Sequence, residues 1–202
     1  MRAELADELL RVSGLNGGRV FFTLAGADAN ENAVKIARMA SANNQGVVIT
    51  RDRSYHGSSY FGMALSGDTR TAPFIDAAAL HVQHVPPPYA YRCPFDTESS
   101  EACGLAAALA VADKIDEIGA SNVAALLMEP NAGSNGIVPP DNYWPELRRV
   151  SREKNVLLIA DEVMSGFGRC GQWFAWQNYG MHNAPDIITC AKGLTGDRKS
   201  VV

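Results

Sequence analysis

The sequence predicts an α/β fold, a mostly parallel sheet flanked by helices, and three observations lead there. Short apolar, β-branched runs recur along the chain, and stretches with apolar residues at three- and four-residue spacing lie between them. The composition, 47% hydrophobic and 20% charged over 202 residues, is that of a domain able to bury a sizeable core. Strands covered on both faces need no polar alternation, so continuous apolar runs separated by helices read as parallel strands.

Taken in order, the opening MRAELADELLRVSG has the spacing of an amphipathic helix rather than a signal peptide. RVFFTL at 19–24 reads as the first strand, followed by a helix over 29–42. GVVIT at 46–50, LHVQHV near Leu80, VAALLM at 123–128 and VLLIA at 156–160 read as further buried strands. Helices are expected over 101–118 and 142–154. The segment VPPPYAYRCPFDTESS at 85–100, dense in proline and aromatics, predicts a long surface excursion. There is no internal repeat, and the length suits one domain.

Charge excludes some partners. Eighteen basic against 22 acidic residues, a net charge of -4, give no broad attraction for a polyanion, so nucleic acid is not expected. No run reaches the roughly 20 apolar residues that span a bilayer, so no membrane partner is expected either. Cys93, Cys103, Cys170 and Cys190 are scattered without a C-x-x-C pair and read as reduced thiols rather than a zinc site. A cytoplasmic location is expected.

Chemistry concentrates near the end. The run VLLIA leads into Asp161 and Glu162, placing two carboxylates at the carboxyl edge of a parallel sheet, where open α/β sheets bind ligands. Such a carboxylate neutralises a cationic ring nitrogen or a metal, or serves as a helix cap or a solvated loop acid. Lys192 follows the apolar segment IITCA between Ala191 and Gly193; partial desolvation there would favour the neutral amine, which attacks carbonyls. Gly166, Gly168 and Gly171 spell G-x-G-x-x-G, yet they do not directly follow the strand, no long helix opens after them, and Asp186 begins a strand where a ribose-binding acid should end one. Earlier, Ala25, Gly26, Ala27 and Asp28 lead into a helix, a turn of small residues whose free N–H groups suit an anion or merely allow tight packing. Tyr55, His56 and Gly57 follow another strand and offer a ring on which a flat ligand can stack.

Five ordered motifs together resemble the class III aminotransferases, pyridoxal 5'-phosphate (PLP) enzymes of fold type I that include ω-amino acid transaminases. They are AGADANENA at 25–33, SYHG at 54–57, MEPNAGSNGIVPP at 128–140, DEVMSGFGRCG at 161–171 and PDIITCAKGL at 185–194. The resemblance implies that residues 1–196 are an incomplete large cofactor-binding domain lacking an N-terminal segment and a C-terminal domain. It implies that Lys192 joins the cofactor aldehyde and acts as the base, that Asp161 pairs with the pyridine nitrogen, and that Gly26 and Ala27 offer N–H groups to the phosphate. Tyr55 and Val163 would pack on the two ring faces, with Glu129 and His56 nearby. The implied activity is transfer of an amino group from an amine or ω-amino acid donor to a 2-oxo acid acceptor such as pyruvate, in a homodimer. The alternatives are an aminomutase or lyase of the same family, a nicotinamide-binding domain using Gly166 to Gly171, or a catalytically incompetent fragment.

Several positions depart from the family pattern. Ala25-Gly26-Ala27-Asp28 lacks the usual hydroxyl, Cys170 replaces a threonine, and Asn131 replaces an apolar residue. Residues 197–202 replace a glycine and an apolar strand with a short charged tail, and read as non-native.

Overall fold

The computed structural model describes residues 2–15, 17–41 and 46–196. The tail 197–202, expected to be non-native, lies outside the described residues, as does Ala42, the expected end of the second helix.

Five strands, β1 (Val47–Arg51), β2 (Val82–Val85), β3 (Val123–Met128), β4 (Leu157–Asp161) and β5 (Ile187–Thr189), form one sheet in the order β2-β1-β3-β4-β5. Every pairing is parallel. The helices are α1 (Arg2–Ser13), α2 (Gly26–Ala40), α3 (Tyr60–Leu65), α4 (Ser100–Ile118) and α5 (Tyr143–Glu153).

Side chains alternate between the two faces of each strand, so each apolar strand feeds two cores. Ile49, Leu126, Met128, Leu158 and Ala160 pack with Val111 and Ile115 of α4 and with Trp144 and Leu147 of α5. Val48, Ala125, Leu127 and Ile159 pack on the opposite face with Val34 and Ala37 of α2 and with Leu65 of α3. Continuous apolar runs are therefore required here, because both faces are covered.

The strand tips differ in kind from the strand bodies. Thr50 and Arg51 of β1, Glu129 just after β3, Asp161 of β4 and Thr189 of β5 are all buried polar groups at the carboxyl edge. The chain steps outward from β1 to β2 and then returns past β1 to β3, so the direction of winding reverses between β1 and β3. That reversal leaves a crevice outside the carboxyl ends of the strands.

One expected element is absent. Residues 19–24 form no strand, and Phe21 and Leu24 are 65% and 99% exposed. Strand propensity expresses fit to a pleated neighbour, and this segment pairs with no strand of the sheet. The helix predicted to begin at 29 starts three residues earlier, at Gly26. The excursion after β2 matches its expectation, with only the single 3-10 turn Ala90–Arg92 before α4. Among the described residues no helix is long and apolar enough to cross a membrane.

Asp186 precedes β5 and locks the sheet to α5. Its carboxylate accepts from Arg148 Nη1 at 2.7 Å and Nη2 at 2.8 Å, and from the Leu158 N–H at 2.8 Å. Asp186→Ala strands a guanidinium that is nearly buried, and is expected to cost roughly 2 kcal/mol in urea unfolding. A loss below about 0.5 kcal/mol would show that the pair is merely a solvated contact.

Candidate active site

The site is built around the carboxylate of Asp161, the last residue of β4 and only 3% exposed. Its Oδ2 accepts from Asn30 Nδ2 at 2.7 Å and from His56 Nδ1 at 2.7 Å, while Oδ1 accepts from the Val163 N–H at 3.0 Å. A carboxylate only accepts, so the His56 hydrogen sits on Nδ1. The other ring nitrogen, Nε2, lies 2.9 Å from the Thr50 hydroxyl. His56 is thus engaged at both nitrogens and supports Asp161 from behind.

Asn30 was not singled out from the sequence. It is 1% exposed and joins four parts of the chain: Nδ2 donates to Asp161 and to the His56 carbonyl at 3.0 Å, and Oδ1 accepts from the Thr189 hydroxyl at 2.6 Å. Only its place one turn inside α2, three and four residues before the buried Ala33 and Val34, signals that it faces inward.

Beside β4, β5 pairs Thr189 with Asp161, and Lys192 follows three residues later. Lys192 opens the turn Lys192–Thr195 with φ 40°, a left-handed backbone that costs a non-glycine residue about 1 kcal/mol. Its Nζ makes no hydrogen bond or ion pair among the described residues. Next to it the backbone is crowded, since a Cβ on Gly193 would stand 2.7 Å from Phe167 Cβ. Cys190 directly follows β5: burial, together with the charges of Glu162 and Asp161, pushes its thiol up to about 11.

Across the crevice α2 begins at Gly26 without a side-chain cap from Ala25. The first internal bond of the helix runs from the Ala29 N–H to the Ala25 carbonyl at 2.9 Å, so the N–H groups of Gly26 and Ala27 precede the ladder. Val163 lies directly against this start, because a Cβ on Gly26 would meet its Cγ1 at 2.8 Å. Gly57, at φ 137°, is equally confined: a Cβ there would stand 2.4 Å from Ala27 Cβ. The fold thus brings Gly26, Ala27, Gly57 and Val163 into contact, with Tyr55 half-buried in the loop between β1 and Gly57.

Glu129 is buried beside Arg51, whose Nη2 donates to the Glu129 carbonyl at 2.9 Å and lies 3.4 Å from Oε2. Burial raises the Glu129 carboxyl to about 7, against the lowering effect of His56, Arg51 and the Tyr55 N–H, and the charge of Asp161 adds to the rise. Glu162 faces the other way: it accepts from the Ser165 hydroxyl and from the Trp176 N–H at 2.9 Å, closing the loop after β4. The glycines of that loop do not make a dinucleotide fingerprint, since residues 163–172 form turns and no α-helix follows among the described residues. Two of the departures from the family pattern meet, with Asn131 Nδ2 donating to Cys170 Sγ at 3.0 Å.

A carboxyl group raised from 4.5 to about 7 on folding binds protons more tightly in the native state, so its contribution to stability is greatest at acid pH and declines as pH rises through 7. Glu129→Gln removes this dependence. Relative to the parent chain, the variant is expected to gain roughly 3 kcal/mol between about pH 4 and pH 8, read from urea midpoints across that range. Parallel profiles for the two proteins would show that Glu129 is not desolvated.

The family model for class III aminotransferases matches residues 2–197. A putrescine-pyruvate aminotransferase of Pseudomonas aeruginosa is 41% identical over 95% of this chain and 42% of its own length. A leucine/methionine racemase of Thermococcus litoralis is 36% identical over 95% of this chain and 43% of its own. Among solved structures, the taurine:2-oxoglutarate aminotransferase of Bifidobacterium kashiwanohense, in complex with PLP and glutamate, superposes with a TM-score of 0.87 at 36% identity, over 96% of this chain and 44% of that one. An amine transaminase from an uncultivated Pseudomonas species in its PLP-bound form gives 0.86 at 34% identity, over 95% and 44%. The chain thus spans less than half the length of these relatives, and by family match, sequence identity and fold it belongs to the class III aminotransferases.

Proposed function

We propose that residues 2–196 are the cofactor-binding part of an enzyme that transfers an amino group from an amine or ω-amino acid to a 2-oxo acid such as pyruvate, using PLP. The observation that carries this reading is the placement of a fixed carboxylate, Asp161, beside the strand tip leading to an unpaired amine, Lys192, with the open N–H groups of α2 across the crevice.

The donor set fits the group. PLP carries an anionic phosphate, a ring nitrogen that is cationic when protonated, and an aldehyde. The N–H groups of Gly26 and Ala27, with the helix dipole behind them, suit the first. Asp161 suits the second: Oδ1 accepts only one bond among the described residues and keeps acceptor capacity. Lys192 suits the third. Tyr55 and Val163 supply apolar contacts, while His56 and Glu129 stand behind the polar end. When bound, the cofactor supplies a carbonyl that condenses with amines and a ring that withdraws electrons.

The chain's own residues then divide the work. Asp161 keeps the ring nitrogen protonated, and it holds one orientation because Asn30, His56 and the Val163 N–H fix both oxygens. Lys192 Nζ holds the cofactor and takes up and returns the substrate proton. The P. aeruginosa relative favours pyruvate as acceptor. The racemase relative supports a second reading, a family member that rearranges its substrate rather than transferring the amino group; dependence on an added 2-oxo acid separates the two. Exposed Phe21, Leu24 and Met39, the last 74% exposed, support pairing of two copies, and four free thiols suit the cytoplasm.

Incubation with PLP, borohydride reduction and peptide mapping are expected to place the label on Lys192, and Lys192→Ala abolishes it. A folded chain, judged by circular dichroism, that is labelled elsewhere or not at all would overturn the assignment. Asp161→Asn replaces a charged partner by a neutral one and is expected to weaken PLP binding roughly tenfold to a hundredfold by absorbance titration. Asn30→Ala keeps the carboxylate but removes one of its donors, and is expected to weaken binding less.

A further inference from the structure

Cys93 and Cys103 are ten residues apart in sequence and lie on either side of the entry to α4. Cys93 closes the 3-10 turn Ala90–Arg92 and is half-buried. Cys103 is fully buried at the end of the first turn of α4, its N–H donating to the Ser99 carbonyl at 3.0 Å. Ser99 caps the same helix, its hydroxyl accepting from the Ala102 N–H at 3.0 Å. Thr97 links the two segments: its hydroxyl lies 3.2 Å from Cys93 Sγ and 3.4 Å from the Ser99 carbonyl, the same carbonyl that accepts from the Cys103 N–H. The two thiols shift one another's ionisation in opposite directions, and Thr97 favours the thiolate at both.

We propose that Cys93 and Cys103 are a reversible dithiol site, oxidised by a small-molecule disulfide such as oxidised glutathione to an intramolecular disulfide that staples the excursion after β2 to α4. This inference goes beyond the amino-transfer reading and does not depend on it.

The two sulfurs are prepared for different roles. Burial opposes ionisation of Cys93, but hydrogen bonds from Cys103, Thr97 and the N–H groups of Phe95 and Thr97 outweigh it and hold the thiol below its ordinary value. A thiolate favoured in this way and partly open to solvent is the attacking partner. Cys103 is pushed up to about 12, by burial first and then by its neighbour Cys93. It stays protonated while Cys93 carries the charge.

The exchange balances as two displacements. Cys93 thiolate attacks one sulfur of the oxidant, forming a mixed disulfide and releasing one small thiolate. The charge on Cys93 is then gone, so the part of the Cys103 shift that it caused is relieved. Cys103 gives up its proton, its sulfur attacks that of Cys93, and the second small thiolate leaves. Two protein thiols are oxidised and one small disulfide is reduced to two thiols.

The other cysteines are internal controls. Cys170 is bonded to Asn131, and burial pushes Cys190 up to about 11. The stapled segment also reaches the loop that carries Tyr55, because the Arg53 guanidinium lies 5.4 Å from the Tyr89 ring centroid.

The test treats the folded chain with excess oxidised glutathione at mildly alkaline pH, alkylates remaining thiols and maps the peptides. The expected product is a cross-linked Cys93–Cys103 peptide with Cys170 and Cys190 alkylated, returned to four thiols by dithiothreitol. In Cys103→Ser the mixed disulfide is expected to persist on Cys93, and in Cys93→Ser Cys103 is expected to stay unmodified. Stable glutathione on Cys93 of the parent chain, alkylation of both Cys93 and Cys103, or cross-links to Cys170 or Cys190 would each overturn the proposal. The parent chain alone decides between these outcomes, whether or not the serine variants fold.

Discussion

Burying the Asp161 carboxylate is the constraint on which the rest of the site depends. An ionised carboxylate withdrawn from water costs several kcal/mol unless it is paired or fully hydrogen-bonded. Here the compensation comes from α2 through Asn30, from the loop after β1 through His56, and from the backbone of Val163. Each donor needs a different tertiary relation to be correct. The position of α2 over the sheet, the register of β4 beside β5, and the path of the loop after β1 all converge on one group. The same bonds tie the strand tip preceding Lys192 to α2, since Thr189 is held by Asn30.

Three buried carboxylates meet at this edge of the sheet, and the structure keeps them apart in kind. Asp161 receives three donors. Glu129 is driven up to about 7 by burial and by the nearby Asp161 charge, with Arg51 only partly offsetting this. Glu162 is also raised by burial, and its oxygens are spent on Ser165 and Trp176 in closing the loop. Like charges at close range cannot all ionise freely, and the charge of Asp161 is among the causes that raise both Glu129 and Glu162.

What was legible in the sequence follows from how local each signal is. The strands from GVVIT onward were legible because continuous apolar runs have few other uses, and Asp161 and Lys192 because each directly follows such a run. Residues 19–24 carried the same local signal and were misread, since a strand also needs a partner that no local pattern reveals. Asn30 was invisible for a related reason: its three partners lie 26, 131 and 159 residues away. Cys93 and Cys103 read only as separate reduced thiols because they form no C-x-x-C pair, and nothing local shows that the turn before α4 folds one back toward the other.

The start of α2 shows why departures in the sequence need not disturb a site made of backbone. Two other helices of this chain begin with a serine that accepts from the first turn, Ser59 for α3 and Ser99 for α4. A serine cap contributes about 1 kcal/mol, and α2 forgoes it at Ala25. A capping side chain there would occupy the first-turn N–H groups, whereas alanine leaves them open. What this location does demand is smallness, since Val163 closes over Gly26 and Gly57 closes over Ala27. Losing the hydroxyls of the family pattern keeps the main-chain donors, but adding volume at Gly26 or Gly57 would displace the very residues that shape the crevice. Bulk, rather than polarity, is therefore the property on which the sequence of this turn is least free to vary.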